Sequence, residues 1–411
     1  MRANDLTVRR RLSPAAAVLA CLAAAFVGAA FAAATRHPAS ARAQAAEQPI
    51  ILRSVVPAWR APGVRVPLMG FADPREPVSL SVNGHVVDAT VAGQLGRFRL
   101  SFTTGKPGRY RLRIAAGDRV STIETLKVRP VVLEAVGDIT FGEQVGPAMS
   151  AYGGSYPWRY VASTLRRADV TVGNLETSVS ERGIAAAKEY TFRGSPSALK
   201  PMHTVAGFDV LTLANNHTVD YGKDALLDTV NAVHAAGMMS IGAGATSARA
   251  RRPAIVVEGG LRVALLGYSD VNPLGFSATE SSPGTARADT AAIDADVRSA
   301  RRRADAVICF FHWGTELHPD PDERQQMLAQ ACLRSGASVV LGAHPHVLGP
   351  VSRPTPRTLV AWTLGNFVFP SAGITARTAI LRIELGAAGV TGYRELPVVI
   401  EGFRPRPAGS Q

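Results

Sequence analysis

The sequence predicts an α/β domain of buried strands alternating with helices, preceded by a small all-β domain and a targeting segment. From Pro130 onward, short apolar runs of strand length alternate with stretches whose apolar residues recur at helical spacing, the pattern of a layered α/β fold. Before Pro130, basic and apolar residues alternate with period two, and turn residues punctuate them closely. A length of 411 residues exceeds the usual single domain and fits two folded units plus a leader. With 46% hydrophobic and 19% charged residues, the composition excludes a disordered chain.

Residues 1–45 read as a signal peptide or N-terminal anchor. Arg9, Arg10 and Arg11 precede an apolar run from Pro14 to Ala34, and Ala41, Ala43 and Ala45 offer small residues for cleavage. The run is also long enough to span a bilayer, so membrane association stays open. Both readings predict export, to the periplasm, the cell surface or a membrane-anchored position facing outside. Beyond the leader only Cys309 and Cys332 remain, which excludes a cysteine metal site. Placed in a strand and a helix, they are expected as two buried thiols.

Residues 50–130 read as an immunoglobulin-like β-sandwich. In Arg97-Phe98-Arg99-Leu100-Ser101-Phe102 and Arg109-Tyr110-Arg111-Leu112-Arg113-Ile114 one face is apolar and the other basic, while Asn83-Gly84 and Lys106-Pro107-Gly108 mark turns. This segment carries thirteen basic and five acidic residues, against twenty-six and twenty-five in residues 131–411. The net charge of +13 is therefore concentrated outside the α/β domain. A nucleic-acid enzyme needs its excess around the active site, so nucleic acid is not expected as a partner. The arginine face suits an anionic envelope or polymer, or is simply a solvated strand face.

Residues 131–402 form the α/β domain. Val131 to Val136, Val170 to Val172, Val210 to Ala214, Val263 to Leu266, Ala306 to Phe311, Val339 to Leu341 and Leu359 to Trp362 are candidate buried strands. Ala225, Leu226, Leu227, Val230 and Val233 make one helical stripe, and Met327, Leu328, Ala331 and Cys332 another. Residues 272–289, rich in Ser, Gly, Pro and Thr, read as a long loop near the site, and residues 403–411 as a tail.

The chemistry collects at strand ends. Asp138, Asn174 with Glu176, Asn215-Asn216-His217, His312 with Glu316, His344 with His346, and Asn366 each follow one of these runs. In an open α/β sheet ligands bind at the carboxyl edge, so these residues are expected to converge. Carboxylate, amide oxygen and neutral imidazole together suit Mn, Zn or Fe, and six or more such groups fit two ions sharing a carboxylate better than one tetrahedral site. Taken singly, Asp138 reads equally as a cap or turn residue, and Asn215-Asn216-His217 as a capping turn before Asp220. Their joint occurrence carries the reading. His85, His203, His234 and His318 lie outside the pattern and are assigned to surface or packing, and Trp313 and Trp362 to site walls or core.

The ordered motifs Val136-Gly137-Asp138-Ile139, Gly173-Asn174-Leu175-Glu176, Ala214-Asn215-Asn216-His217-x-x-Asp220, His312-Trp313-Gly314-x-Glu316, Gly342-x-His344-Pro345-His346 and Leu364-Gly365-Asn366-Phe367 resemble the CapA family of poly-γ-glutamate capsule biosynthesis proteins. That family is similar in turn to calcineurin-like metallophosphatases. The resemblance implies a four-layer αββα domain with two divalent ions at the strand ends. It places Asp138 and His346 on one ion and Asn216, His312 and His344 on the other, with Glu176 bridging. It makes His217 the general acid, leaves Glu316 as a second catalytic candidate, and gives support to Asn174, Asn215, Asp220 and Asn366. Thr140 stands where the metallophosphatase pattern has histidine, and Asn174-Leu175-Glu176 replaces an aspartate-based motif. The implied function is an exported metal-dependent hydrolase of phosphoesterase type, acting on a small phosphoester or linked to a capsule polymer. The alternative is a non-catalytic binding or export factor for an anionic polymer such as poly-γ-glutamate.

Overall fold

The computed structural model describes residues 49–409. The Arg-led apolar run expected to target the chain lies outside the described residues, and among the described ones no helix is long and apolar enough to cross a membrane. The chain divides into two compact units. One takes the chain up to Val55 together with Pro67–Leu100 and Arg113–Thr122, and the other takes Val56–Val66, Ser101–Leu112 and Ile123–Gln411.

In the first unit Pro77–Val82 and His85–Val91 form a hairpin whose register brings Val82 opposite His85. The two residues between them, Asn83 and Gly84, have φ of 50° and 89°. Left-handed backbone at both positions matches the right-handed twist of the strands, and Asn-Gly is the pair that tolerates it. Along Arg97–Thr103 burial alternates, with Phe98 and Leu100 inside and Arg97 and Arg99 outside.

The second unit is built on two sheets. In the first, Met239–Ile241, Val210–Thr212, Val170–Leu175 and Val131–Ile139 run parallel, and Arg377–Gly386, Gly389–Glu401 and Arg404–Pro407 continue it antiparallel. The segment expected as a tail therefore closes the sheet. Two prolines in four residues discourage a strand reading, yet an edge strand tolerates proline because its outer N–H groups need no partner. In the second sheet Leu261–Ser269, Ala306–His312, Val339–Ala343 and Leu359–Ala361 are parallel, with Ala254–Glu258 and Val351–Ser352 at the edges.

Three apolar cores order these parts into layers. Val131, Leu133 and Val172 of the first sheet meet Leu265, Ile308 and Leu341 of the second. Val136 and Leu211, on the first sheet's other face, pack with Leu226 and Val233 of the helix Lys223–Ala235. Val307 and Val340, on the second sheet's outer face, pack with Ile293 and Val297 of Thr290–Arg301 and Leu328 of Glu323–Arg334. The order is helix, sheet, sheet, helix. Strands covered on both faces explain the continuous apolar runs.

Met327, expected on the inner stripe of its helix, is 48% exposed. Cys309 and Cys332 do not remain thiols but form a disulfide between the strand Ala306–His312 and the helix Glu323–Arg334. Residues 272–289 are not loop throughout, since Gly284–Thr285 pairs with Ala243–Gly244.

Candidate metal centre

The sheet register sets the site. Asp138 lies level with Asn174 on one neighbouring strand and Asn366 on another. In the second sheet His312 is level with Ala343, so His344 is the next residue past that edge. Gly137 permits the approach: a Cβ there would collide with the carbonyl oxygen of Gly365, whose own contact with Asp138 N is a 2.9 Å hydrogen bond.

Asp138, Asn174, Glu176, Asn215, His217, Asp220, His312, His344 and Asn366 are all buried; Asn216 and His346 are half-buried. Asn174 donates from Nδ2 to Asp138 Oδ1 at 2.7 Å, and the same nitrogen lies 3.1 Å from His312 Nδ1. His344 N donates to Asp138 Oδ2 at 3.2 Å. Asn366 Oδ1 lies 2.8 Å from His346 Nδ1 and thereby orients that ring. Asn215 works inward: it donates to Asn174 Oδ1 and Leu175 O, and its Oδ1 accepts from the backbone of His217 and Thr218. It shapes the turn that presents Asn216 and His217.

Two groups of side chains bring ligand atoms within 4.8 Å of one another: Asp138 with Glu176 and His312, and Glu176 with His344 and His346. Glu176 belongs to both. These groupings pair His312 with Asp138, whereas the family resemblance joins it to His344 and Asn216. The contacts mix the two schemes, because His312 Nε2 lies 2.8 Å from Asn216 Oδ1 and 3.3 Å from Glu176 Oε1.

The electrostatics follow from burial. Burial and the Glu176 charge push the Asp138 carboxyl up to about 6. Burial pulls His312 down to about 3 and His344 to about 2, so both rings stay neutral at pH 7, the form in which imidazole binds a metal. Burial also acts to lower His346, but the charges of Glu176 and Asp138 outweigh it and raise its pKa.

The His-Pro-His segment differs from the extended turn its sequence invites. His344 has φ of 99° and His346 φ of 58°. Side chains with a Cβ avoid this region, at a cost of about 1–3 kcal/mol each, and such backbone persists where surrounding contacts impose it. Nothing in the residue types signals it, since neither is glycine.

His217 sits beside the two groups. Its Nδ1 is 2.7 Å from Asp220 Oδ2 and its Nε2 is 3.8 Å from Glu176 Oε1. Glu316 is exposed on the turn after its strand, outside both ligand groups. Trp313 is core, its indole donating to Trp362 O at 2.9 Å. Thr140 is buried and its Oγ1 accepts from Gly142 N at 3.1 Å. Lys188, which no motif singled out, places its ammonium 2.6 Å from Asp220 Oδ1 and 3.2 Å from His217 Nδ1.

The chain matches the bacterial capsule synthesis protein family PGA_cap over residues 132–371. It is 32% identical over 293 residues to the PGA biosynthesis protein CapA of Bacillus subtilis (strain 168), covering 69% of this chain and 77% of that protein. It is 30% identical over 302 residues to the capsule biosynthesis protein CapA of Bacillus anthracis, covering 71% and 73%. Among solved structures, the 5'-nucleotidase precursor of Thermus thermophilus is similar at 15% identity and a TM-score of 0.42, over 67% of this chain and 56% of that one. The matched segment spans more than half of the chain and carries every site residue from Asp138 to Asn366, and the chain belongs to the bacterial capsule synthesis protein family PGA_cap.

Proposed function

We propose that the chain is an exported, metal-dependent hydrolase of phosphoesterase type that serves the assembly or turnover of an anionic capsule or envelope polymer. The observation that carries this reading is Glu176, whose two carboxylate oxygens are both buried without a hydrogen-bond partner. A buried charge with no partner is costly, and coordination of a cation is the usual compensation. His344 Nδ1 is likewise buried without a hydrogen-bond partner. Neutral imidazoles and carboxylates fit Mn, Zn or Fe. Asp138, Glu176 and His312 would hold one ion, and Glu176, His344 and His346 a second, with Asn216 beside them. Bound divalent ions supply Lewis acidity and neutralise charge on an anionic ester.

The chain's own residues add proton handling. The short contact to Asp220 assigns the Nδ1 proton of His217 to that carboxylate and turns Nε2 toward the ligand groups. In this reading His217 is the general acid for the leaving group. The layered unit is metallophosphatase-like in the same reading, and residues 50–130 are an accessory β-sandwich. Export is supported by the N-terminal apolar run and by the Cys309–Cys332 bond, since disulfides persist in oxidising compartments.

Purified protein loaded with Mn(II) or Zn(II) and offered a panel of phosphomonoesters and phosphodiesters tests this. Hydrolysis that is lost in His217→Ala and His346→Ala supports it, and activity unchanged in both variants sinks it.

A second reading, a binding or export factor for an anionic polymer, is favoured by one observation. Arg97, Arg99, Arg111 and Arg113 all lie on exposed strand faces. Retention on immobilised polyglutamate, lost when Arg97, Arg99, Arg111 and Arg113 are replaced by Ser and indifferent to chelation, would favour binding over hydrolysis. Such contacts weaken with salt, so retention that survives high ionic strength would rule out arginine docking.

A further inference from the structure

The segment 183–192 has no motif, yet it converges on one residue of the candidate site. Ala186 N donates to Asp220 O at 2.7 Å, Phe192 N donates to Asp220 Oδ2 at 2.7 Å, and the Lys188 ammonium pairs with Asp220 Oδ1 at 2.6 Å. Lys188 also donates to Asn216 O at 2.6 Å. The Phe192 ring stacks on the His217 imidazole with centroids 4.0 Å apart and planes 20° from parallel. One cation thus grips both ends of the turn 216–220. That turn carries the Asn216 amide, which reaches His312, and the His217 ring, which faces Glu176.

Asp220 is fully buried, and the Lys188 side chain is 20% exposed. Without the ammonium, Oδ1 of that buried carboxylate would lose its ion-pair partner. The Asn216 carbonyl would also lose its donor.

We propose that Lys188 is a positioning residue of the candidate site, holding the Asn216–Asp220 turn so that Asn216 and His217 meet the ligand groups. The inference rests on the metal-site reading for its consequence, and on the geometry alone for the turn. Partners that orient metal ligands typically change metal affinity or activity by about 10- to 100-fold when removed.

The test compares wild type, Lys188→Met and Lys188→Arg as full chains. Mn(II) affinity is read by titration calorimetry after chelator treatment, and backbone exchange of peptides spanning 215–222 by hydrogen–deuterium mass spectrometry. Lys188→Gln, which keeps a donor for Asn216 O, serves if the methionine variant fails to fold. The expected result is an affinity loss of about 10- to 100-fold in Lys188→Met with faster exchange confined to the turn, and recovery of both in Lys188→Arg. Equal affinity and equal exchange in wild type and Lys188→Met overturn the proposal. Wild type that takes up no Mn(II) refutes the metal-site reading instead, and exchange over 215–222 then decides by itself whether Lys188 holds the turn.

Discussion

Glu176→Gln should separate stability from function. Both oxygens of Glu176 are buried without hydrogen-bond partners, and its charge helps push Asp138 up to about 6. Two carboxylates confined in one buried site repel, and an unsatisfied buried polar atom costs about 1–3 kcal/mol, more when charged. Glutamine keeps the shape and removes the charge, so the chelated variant is expected to be more stable than wild type by about 1–2 kcal/mol. With an unfolding entropy of about 2.1 cal/mol/K per residue, a unit this large shifts by about 1–2 °C per kcal/mol, so the unfolding midpoint rises by about 1–4 °C. Metal reverses the order. Mn(II) at about 100 times its Kd adds about 2.7 kcal/mol to a protein that binds it only when folded, and adds nothing to a variant that has lost the shared ligand. Calorimetric scans of both proteins, chelated and loaded, give the four midpoints. A glutamine variant that is less stable than wild type when chelated, yet gains as much from Mn(II), would mean that Glu176 is neither a destabilising charge nor a shared ligand.

Three further outcomes follow from other parts of the molecule. Gly137→Ala drives a Cβ into the Gly365 carbonyl, backbone against backbone, and should destabilise by about 3 kcal/mol or more; an unchanged thermal midpoint would contradict the close approach. Opening the Cys309–Cys332 bond, which closes a span of 23 residues, by Cys332→Ser should cost about 3 kcal/mol, and a thiol titration of unfolded wild type should find no free thiol other than Cys21. Arg182 and then Ser180 hold the Asp228 carboxyl down to about 2 through hydrogen bonds. A lowered folded-state value contributes stability above the ordinary carboxylate pKa of about 3.9 and loses it as pH falls through the folded value. Wild type should therefore lose stability between about pH 4 and pH 2, and Asp228→Asn should lose measurably less in a denaturation series across that window; parallel curves would contradict the pairing.

What was legible in the sequence was the part that periodicity records. Strands buried on both faces read as apolar runs, and the polar residues just past them had to meet at one edge, so Asp138, Glu176, His312 and His344 could be gathered without coordinates. Features decided by tertiary contact were not legible. The left-handed backbone at His344 and His346 is imposed by its surroundings on residues that do not ask for it. Arg404–Pro407 is a strand only because Gly389–Glu401 offers it an edge. Cys309 and Cys332 pair because the helix Glu323–Arg334 lies across the strand Ala306–His312, which spacing alone does not fix. Glu316 shares a motif with His312 but points to solvent, since one turn of irregular chain separates them. Lys188 sits in a segment of small and polar residues, and only the fold brings it to Asp220.

Glu176 belongs to both groups of candidate ligand atoms. Metal analysis of the purified full chain by mass spectrometry, alongside Glu176→Gln, reads whether that shared carboxylate holds ions. Two equivalents of a transition metal in wild type and a loss of bound metal in the variant are expected. Wild type that carries no metal, even after dialysis against Mn(II) or Zn(II), would mean that Glu176 holds no ion.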